Sequence, residues 1–356
     1  MSRLVIHIGT HKTATTRLQK LFRRNRDLLA RHGVIFPQVA QTDGQHGLVS
    51  IWNALLLPEP DFDARAAWAD LAARHAAGSQ TVFVSSEEFS RMSRRRVNMA
   101  ELADLTAAFD EVHLICTLRN QAAFLQSIYL QISSSRPPAD WDAFFDRMLA
   151  TGMADGLMLN YDRLYTHLLG GFARNRIHLI SYDHAILQPG GIVGAYLRAL
   201  DVPLAPEDLV PVTDSEANIS PDPLATFVAC TLGRPDPPGA GQTALVQGVL
   251  AQAFGAGRRS CLLTRHEVAR MAAVFDPLNA ALSARIAPYQ PDFRLGDMLG
   301  RGADLYREDL TPALWADMAA VLARDRALHG PAPRPEGTPP GLAQRIWRRI
   351  LGICLG

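Results

Sequence analysis

The sequence has few cysteines and almost no net charge. Its four cysteines, Cys116, Cys230, Cys261 and Cys354, are widely spaced and form no Cys-x-x-Cys pair, which favours reduced thiols over a disulfide framework or a zinc site. Lys and Arg number 36 against 35 Asp and Glu, so the formal net charge is only +1. Proteins that bind nucleic acid over a broad surface usually carry a clear basic excess. We therefore expect no nucleic-acid partner, and any anion site has to be local.

Long apolar runs are also missing. No segment approaches the roughly 18 consecutive apolar residues expected of a membrane span, and the apolar run at 4–8 is too short for a signal peptide. We therefore expect a cytoplasmic protein. Hydrophobic residues still make up 48% of the chain and charged residues 20%, a balance that can fill a globular core.

Short apolar runs alternate with amphipathic segments in the first part of the chain. The runs predict strands at 4–8, 34–36, 81–85, 112–118 and 177–182. The segments between them predict helices at 15–30, 47–57, 62–77, 99–109, 124–132, 161–169 and 192–200. This alternation favours an α/β fold in which a P-loop-like, mostly parallel sheet of four or five strands is flanked by helices.

The pattern changes along the chain and predicts three regions. Residues 1–205 form the P-loop-like core, and 206–330 form a mainly helical extension that packs on it. Residues 331–356 begin with a proline-rich linker and end in a short basic amphipathic tail. Such a tail can dock on the domain or contact a membrane surface, and docking is the commoner case. The sequence does not indicate an oligomeric state.

The first predicted strand joins the first helix through the sequence His-Ile-Gly-Thr-His-Lys-Thr-Ala-Thr-Thr at 7–16. Free backbone N–H groups and the positive end of the helix dipole favour an anion at such a junction. Lys12 adds a full charge, and the threonines add hydroxyls. The alternative is a capped turn whose lysine faces solvent. The candidate anion-binding residues are Gly9, Thr10, His11, Lys12, Thr13, Ala14, Thr15 and Thr16.

This loop differs from the Walker pattern of kinases and other nucleotide hydrolases. That pattern places a glycine directly before the lysine and a metal-binding Asp at a strand end. Here His11 precedes Lys12, and the strand at 112–118 ends in Arg119. A cation at a strand end suits a second anion better than a metal. Ser127 follows about two helical turns later, where it and Arg119 can hold one phosphate together.

At this point the sequence resembles the sulfotransferase superfamily that uses 3′-phosphoadenosine 5′-phosphosulfate (PAPS), and most of all its bacterial carbohydrate-type members. The loop that binds the 5′-phosphosulfate has the form K-x-G/A-T-T, which Lys12 to Thr16 match, and the 3′-phosphate element matches Arg119 and Ser127. The resemblance covers 4–30 and 80–135 best. Ala14 stands where many members carry Gly, and alanine should permit the turn unless its φ is positive.

The resemblance implies a metal-independent transfer of the sulfuryl group to a hydroxyl, with 3′-phosphoadenosine 5′-phosphate (PAP) as the product. Lys12 would stabilise charge on the bridging oxygen as the S–O bond breaks. The loop N–H groups with Thr15 and Thr16 would hold the 5′-phosphate. Arg119 and Ser127 would hold the 3′-phosphate. The acceptor implied is a saccharide or glycolipid, although a small alcohol or phenol stays open.

The transfer needs a base for the hydroxyl proton, and three residues are candidates. Glu87 and Glu88 follow the strand at 81–85, at the sheet edge where ligands of open α/β sheets bind. We favour Glu87, because related bacterial members often carry Ser-Ser-Glu at this point. An exposed acidic helix start is the alternative interpretation of this pair. His46 is the third candidate, either as base or as a contact to the acceptor.

Two other functions are compatible with the same residues. A P-loop kinase would also bind a nucleotide at this loop, but it would require magnesium and bind ADP at least as well as PAP. A catalytically inactive nucleotide-binding or scaffold protein would bind the nucleotide without depending on Glu87 or His46. Dependence on a metal and the response to these two substitutions separate the three hypotheses.

Overall fold

The computed structural model describes residues 1–133, 139–212, 222–234, 236–298 and 302–329. Five strands form the main sheet: β1 (Arg3–His7), β2 (Val34–Ile35), β3 (Thr81–Ser85), β4 (Glu111–Leu118) and β7 (Ile177–Ser181). Two small ribbons lie outside it, formed by β5 (Met153–Ala154) with β6 (Leu157–Met158) and by β8 (Ser260–Cys261) with β9 (Leu305–Tyr306).

The main sheet has the order β2-β3-β1-β4-β7, and each neighbouring pair is parallel. The predicted α/β fold with a parallel sheet is therefore confirmed. Because all strands run the same way, the loops that follow β1, β3 and β4 emerge at one edge of the sheet. The central position of β1 places the loop that follows it between the other two.

Helices cover both faces of the sheet. In chain order they are α1 (Thr15–Arg24), α2 (Arg26–Arg31), α3 (Ala64–His75), α4 (Met99–Leu105), α5 (Gln121–Ser133), α6 (Trp141–Thr151), α7 (Tyr161–Leu168), α8 (Tyr182–Ala185), α9 (Gly191–Ala199), α10 (Pro223–Gly233), α11 (Ala240–Phe254), α12 (Arg265–Ile286) and α13 (Pro312–His329). Among the residues described, no helix is both long and apolar enough to cross a membrane.

Alternate residues of the strands feed two hydrophobic clusters. Val5 and Ile115 point to one face, where α1, α2 and α9 pack. Leu4 and Leu114 point to the other, where the cluster continues without interruption to Phe275 of α12. The period of two along the strands thus buries both faces. The sheet and the C-terminal helices share one core, and the predicted tail, 331–356, lies outside the described residues.

Two predicted helices are wrong in detail. The helix at 15–30 is interrupted at Asn25, whose side-chain amide donates to Leu21 O and Val210 O and whose Oδ1 accepts from Val210 N. A side chain that bonds to backbone in this way competes with helical hydrogen bonds. The segment 47–57 contains two short 3₁₀ helices, His46–Val49 and Ala54–Leu56, in place of an α-helix.

Candidate functional site

The loop after β1 is fixed to the neighbouring strand β4 by backbone hydrogen bonds. Thr10 N donates to Thr117 O at 2.6 Å, and Thr117 N donates to Gly9 O at 2.5 Å. The loop then turns through two non-glycine residues with positive φ, Lys12 at 63° and Ala14 at 62°. Alanine therefore does not fit this turn without strain, because the φ of Ala14 is in the left-handed region that favours glycine. The loop keeps this shape at a cost of about 1–2 kcal/mol per such residue.

Gly9 brings the loop against the turn that follows β3. Its φ is 87°, and a Cβ at this position would lie 2.8 Å from Cβ of Glu87 and 2.9 Å from its Cα. No side chain fits there without moving that backbone. Both the positive φ and the close approach to Glu87 therefore require glycine at position 9. The candidate anion loop thus lies directly against the turn that carries the candidate base.

The loop hydroxyls divide into two groups. Thr10 Oγ1 donates to Thr117 O at 3.0 Å, and Thr13 Oγ1 donates to Thr10 O at 2.6 Å, so both protons are used within the fold. Thr15 Oγ1 is buried without a hydrogen-bond partner among the described residues. Thr16 is exposed on the first turn of α1. Since a hydroxyl has only one proton to donate, Thr15 and Thr16 are the two that can donate to a ligand.

The first turn of α1 also lacks a cap. Its N-cap residue is Ala14, and no side chain accepts from the first N–H groups. The first N–H groups of a helix have no partner inside the helix, and together with the dipole they attract an anion. The helix is thus open toward the side on which Lys12 and Thr15 lie.

Arg119 and Ser127 form a direct hydrogen bond, as their spacing in the sequence allowed. Nη1 of Arg119 donates to Ser127 Oγ at 2.9 Å and to Lys12 O at 3.3 Å. The guanidinium stacks over the ring of Tyr182 at 5.5 Å, and the Tyr161 hydroxyl donates to Arg119 O. These contacts fix the orientation of the fork. The Nε of this guanidinium is buried and has no hydrogen-bond partner within the described ranges, so its N–H group can still donate to a ligand.

Lys12 and Arg119 place two positive charges side by side. Burial and then the charge of Arg119 lower the pKa of Lys12, and Glu87 offsets part of this. Within the described ranges neither cation forms an ion pair with a carboxylate. Two cations held together by the fold without an anion in contact are a charge arrangement that a bound anion would stabilise.

Glu87 begins the 3₁₀ helix Glu87–Ser90 that follows β3, and it is half-buried. Burial by itself would raise the pKa of Glu87, but the charges of His46 and His11 outweigh that effect, so the pKa lies below its ordinary value. Glu87 is therefore a carboxylate at neutral pH and can accept a proton. Ser86 caps the short helix by accepting from Glu88 N at 3.3 Å. Glu87 and Glu88 are nevertheless half-buried, so they do not form the exposed acidic helix start considered as the alternative.

Glu88 has a different environment from Glu87. Its Oε2 accepts from Nε of Arg91 at 2.8 Å, and Nη1 of Arg91 also donates to Asp155 O at 3.1 Å. Burial would raise the pKa of Glu88, but the charges of Arg91 and His11 lower it to about 2. A carboxylate this acidic is a poor proton acceptor at neutral pH. The geometry therefore favours Glu87 over Glu88 as the base.

Two histidines lie beside these carboxylates. His46 begins the 3₁₀ helix His46–Val49, and its Nδ1 lies 2.8 Å from Ser86 Oγ. Because this contact uses Nδ1, the other ring nitrogen, Nε2, is the one that can contact a molecule bound in the pocket that His46 lines. Nε2 of His11 lies 3.7 Å from Glu88 Oε1 and has no hydrogen-bond partner among the described residues. Burial lowers the pKa of His11, and Glu88 offsets part of this.

A pocket of about 370 Å³ connects the loop to the candidate bases. Apart from one leucine and one glycine, its lining is polar. The lining residues are His11, Thr16, Gln19, Arg23, Gln41, Thr42, Asp43, Gly44, His46, Leu56, Glu87, Glu88 and Gln131. A volume of this order suits part of a small-molecule substrate, and the polar side chains among its lining residues can bind hydroxyl groups.

Sequence reasoning missed three polar residues that hold the site together, of which only Gln19 lines the pocket. Gln45 forms a strand-like pair with Ser85, because Gln45 N donates to Ser85 O at 2.9 Å and Ser85 N donates to Gln45 Oε1 at 2.7 Å. Gln19 and Arg91 hold the two carboxylates. The only signals in the sequence were a glutamine inside the apolar stripe of α1 and the Glu88–Arg91 spacing of three.

The chain was compared with known proteins. No protein-family model matches it, and no curated protein does either. Among solved structures it is similar to a sulfotransferase from Alicyclobacillus acidocaldarius, with 15% identity and a TM-score of 0.40 over 76% of this chain and 95% of the other.

Two further similar structures are domains of larger systems. One is the sulfotransferase domain of the Synechococcus PCC 7002 olefin synthase, with 10% identity, a TM-score of 0.32 and coverage of 62% of this chain and 76% of the other. The second is the sulfotransferase domain from the curacin biosynthetic pathway, with 11% identity, a TM-score of 0.33 and coverage of 62% and 80%. Because these values are low, the function has to be inferred from the residues of this chain.

Proposed function

We propose that this protein transfers the sulfuryl group of PAPS to a hydroxyl acceptor. The observation that carries the proposal is a cationic site, formed by Lys12 and Arg119 beside Thr15, in which buried polar atoms have no hydrogen-bond partner among the described residues. Arg119 Nε and Thr15 Oγ1 are buried without partners among the described residues, and Lys12 lies beside Arg119 with its pKa lowered. Buried polar groups of this kind are normally satisfied, so a bound anion is the simplest completion.

The donor side of the site, which we define as the loop 9–16 with Arg119 and Ser127, suits two separate phosphate groups. The uncapped turn of α1, Thr15 and Thr16 would hold the 5′-phosphate. The Arg119–Ser127 pair, fixed by its 2.9 Å contact, would hold the 3′-phosphate. A 3′-phosphate separates PAPS from ATP, and the paired donors on α5 and the end of β4 are the part of this site that recognises it.

The transfer itself would use Glu87 and Lys12. The acceptor oxygen forms a bond to sulfur while the bond between sulfur and the bridging oxygen of the 5′-phosphate breaks. The hydroxyl proton passes to the carboxylate of Glu87, and the electron pair of the broken bond stays on PAP, where the ammonium of Lys12 stabilises the charge. Lysine and helix N–H groups supply the stabilisation, so the step as proposed requires no metal. The proximity of Gly9 to Glu87 supports it, since the donor loop passes so close to the base that even a methyl group at residue 9 would not fit between them.

The acceptor is proposed to be a carbohydrate or glycoconjugate. The pocket beside Glu87 and His46 is lined mainly by amide, hydroxyl and charged side chains. A sugar presents many hydroxyls that such groups can bind. His46, with Nδ1 near Ser86 Oγ, is positioned to orient the acceptor hydroxyl toward Glu87.

The proposal is tested by isothermal titration of the full chain with PAP and, in parallel, with ADP, both without magnesium. We expect micromolar binding of PAP and much weaker binding of ADP, because ADP lacks the 3′-phosphate. Equal or tighter binding of ADP, or binding that requires magnesium, would refute the sulfotransferase proposal and favour a kinase. PAP binding with unchanged properties in Glu87→Gln and His46→Asn would favour an inactive nucleotide-binding protein.

A further inference from the structure

Gln19 lies between the donor loop and the candidate base. It belongs to the second turn of α1, is only 3% exposed, and points toward the end of β3. Its Nε2 lies 3.2 Å from Ser85 O, 3.2 Å from Ser85 Oγ and 3.3 Å from Glu87 Oε2. A buried glutamine on an otherwise apolar helix face calls for a specific partner, and here the partner is the carboxylate that we propose as the base.

The orientation of this carboxamide is set by its neighbours. Ser85 O and a carboxylate oxygen of Glu87 can only accept hydrogen bonds, so the NH₂ group of Gln19, and not its carbonyl oxygen, has to face them. A donor that points at a carboxylate stabilises its charged form and limits its rotation. Ser85 O also accepts from Gln45 N at 2.9 Å, which fixes the frame against which the carboxamide is held.

Gly44 makes room for the carboxamide. A Cβ built at Gly44 would lie 2.6 Å from both Cδ and Nε2 of Gln19 and 2.8 Å from its Oε1. These distances are shorter than any normal contact, so a methyl group would push the carboxamide aside. The loop that carries His46 thus passes directly over Gln19, so the Gln19 side chain lies against both this loop and the turn that carries Glu87.

We propose that Gln19 is a positioning residue that holds the carboxylate of Glu87 toward the pocket it shares with His46, and that Gly44 is required because it leaves space for the Gln19 carboxamide. The functional meaning of this arrangement rests on the proposed role of Glu87 as base. The contact itself does not, which allows the two to be tested separately.

Glu87 also interacts with other titratable groups, which have to be kept unchanged in any test. The charged or titratable side chains that interact with Glu87 are His7, His11, Lys12, His46, Glu88 and Arg91. Gln19 is neutral, so its replacement by methionine removes a donor at similar volume and leaves that charge set intact. A change in the pKa of Glu87 then reports the lost hydrogen bond.

The experiment is an NMR titration of the full chain labelled with ¹³C at the glutamate carboxyl carbons, with the Glu87 signal assigned by Glu87→Gln. In Gln19→Met we expect the midpoint of Glu87 to rise by about one pH unit, since a hydrogen bond to a charged group at the long end of the distance range contributes near the lower limit of its usual value. Gln121→Met is the matched control, because Gln121 is 1% exposed and bonds to Asn279, away from Glu87.

The role of Gly44 is tested by combination. Gly44→Ala should raise the midpoint of Glu87 when Gln19 is present and leave it unchanged in a Gln19→Ala background, where the methyl group no longer meets a carboxamide. Gly241→Ala is the control, because a Cβ there meets no atom within 4 Å. An equal effect of Gly44→Ala in both backgrounds would refute the steric part of the proposal.

PAP titration of the same variants separates positioning from a general loss of structure. We expect the PAP affinity of Gln19→Met to stay within about twofold of the unmodified protein, because among the described residues the hydrogen bonds of the Gln19 side chain go to Ser85 and Glu87 and not to the donor side. An unchanged Glu87 midpoint in Gln19→Met, or a PAP affinity that falls tenfold or more, would overturn the inference. If the unmodified chain fails to bind PAP while the midpoint shifts as expected, Gln19 still positions Glu87 and only the proposed sulfotransferase function fails.

Discussion

The donor side and the base side of the site differ in how completely their polar groups are already bonded. On the donor side, Thr15 Oγ1 and Arg119 Nε have no partner among the described residues, and two cations adjoin without a carboxylate in contact. On the base side, Glu87 has Gln19, Glu88 has Arg91, and His46 has Ser86. The donor side is thus built to be completed by an anion, whereas the base side is organised before any ligand arrives.

This difference predicts that substitutions on the two sides fail in different ways. A change at Lys12 or Thr15 should remove binding or transfer while the fold remains, because among the described residues Thr15 Oγ1 has no hydrogen-bond partner and Lys12 has no carboxylate in contact. A change on the base side should also alter stability or protonation, because those groups bond to each other. The predictions that follow test this distinction from the largest expected effect to the smallest.

The largest effect is expected for Lys12→Met. Removing the ammonium from the breaking S–O bond should slow sulfuryl transfer by about 10²- to 10³-fold, as seen when a comparable stabilising donor is lost. Transfer is measured as PAP release from PAPS at saturating donor, with an acceptor found by screening saccharides. Arg17→Met, at an exposed position of the following helix α1, is the control and should retain full activity. A Lys12→Met rate within tenfold of normal would contradict the assigned role.

Arg119→Met is expected to weaken PAP binding by about 100-fold, because a hydrogen-bonded charge contributes up to about 3 kcal/mol. ADP binding should change little, since ADP has no 3′-phosphate, so the variant loses discrimination more than affinity in general. Ser127→Ala should show the same selectivity change at a few-fold scale. Calorimetry with both nucleotides measures it, and an equal loss for PAP and ADP would show that Arg119 does not recognise the 3′-phosphate.

Glu88 gives the base side a pH dependence in the acid range. Its pKa is about 2 in the folded protein against an ordinary 4.5, so the unfolded chain binds the proton more readily. The stabilisation is complete above pH 4.5 and declines as the pH falls toward 2, with about 2 kcal/mol lost between pH 7 and pH 3. Urea unfolding at pH 7, 4.5 and 3 measures this. Glu88→Gln should be less stable at pH 7 and show a flatter dependence; an unchanged slope would rule out Glu88 as its source.

The smallest effect is expected for Ala14→Gly. Glycine tolerates the φ of 62° that costs alanine about 1–2 kcal/mol, and after the greater freedom of glycine in the unfolded chain the net gain is about 0.5–1 kcal/mol. Thermal unfolding of the ligand-free protein should show a higher midpoint. Ala73→Gly in α3 should have the opposite sign because it replaces alanine inside a helix. A lower midpoint for Ala14→Gly would contradict the strained turn.

The predicted strands agree closely with the structure because they are short buried runs bounded by polar residues. The strand predicted at 81–85 is β3 (Thr81–Ser85), and the one predicted at 112–118 is β4 (Glu111–Leu118). The helix predicted at 47–57 was wrong because Gln45 binds the beginning of this segment to the end of β3. That contact joins positions far apart in the sequence, and hydrophobic periodicity does not show it. The side-chain bonds of Asn25, which divide the first helix, depend in the same way on a distant partner.

The candidate site was recognisable in part for a related reason. Lys12, Arg119 and Glu87 each follow a strand, and in a parallel sheet the strand ends share an edge. Their roles as anion ligands and base stay predictions. Gln19 was not recognisable, because its significance comes from Ser85, Glu87 and Gly44, which are close to it only in the folded chain. The choice between Glu87 and Glu88 likewise required the direction of the Arg91 side chain.

The contact between Asn25 and Val210 has a consequence for how the protein is made. The side chain of Asn25 ends α1 by bonding to backbone 185 positions later. During synthesis the loop and its helix leave the ribosome well before residue 210, and this support arrives only when residue 210 has emerged. Contacts of such long sequence separation slow folding and leave early segments exposed for longer. The end of α1 therefore reaches its final form only after residue 210 has been made, long after its own residues.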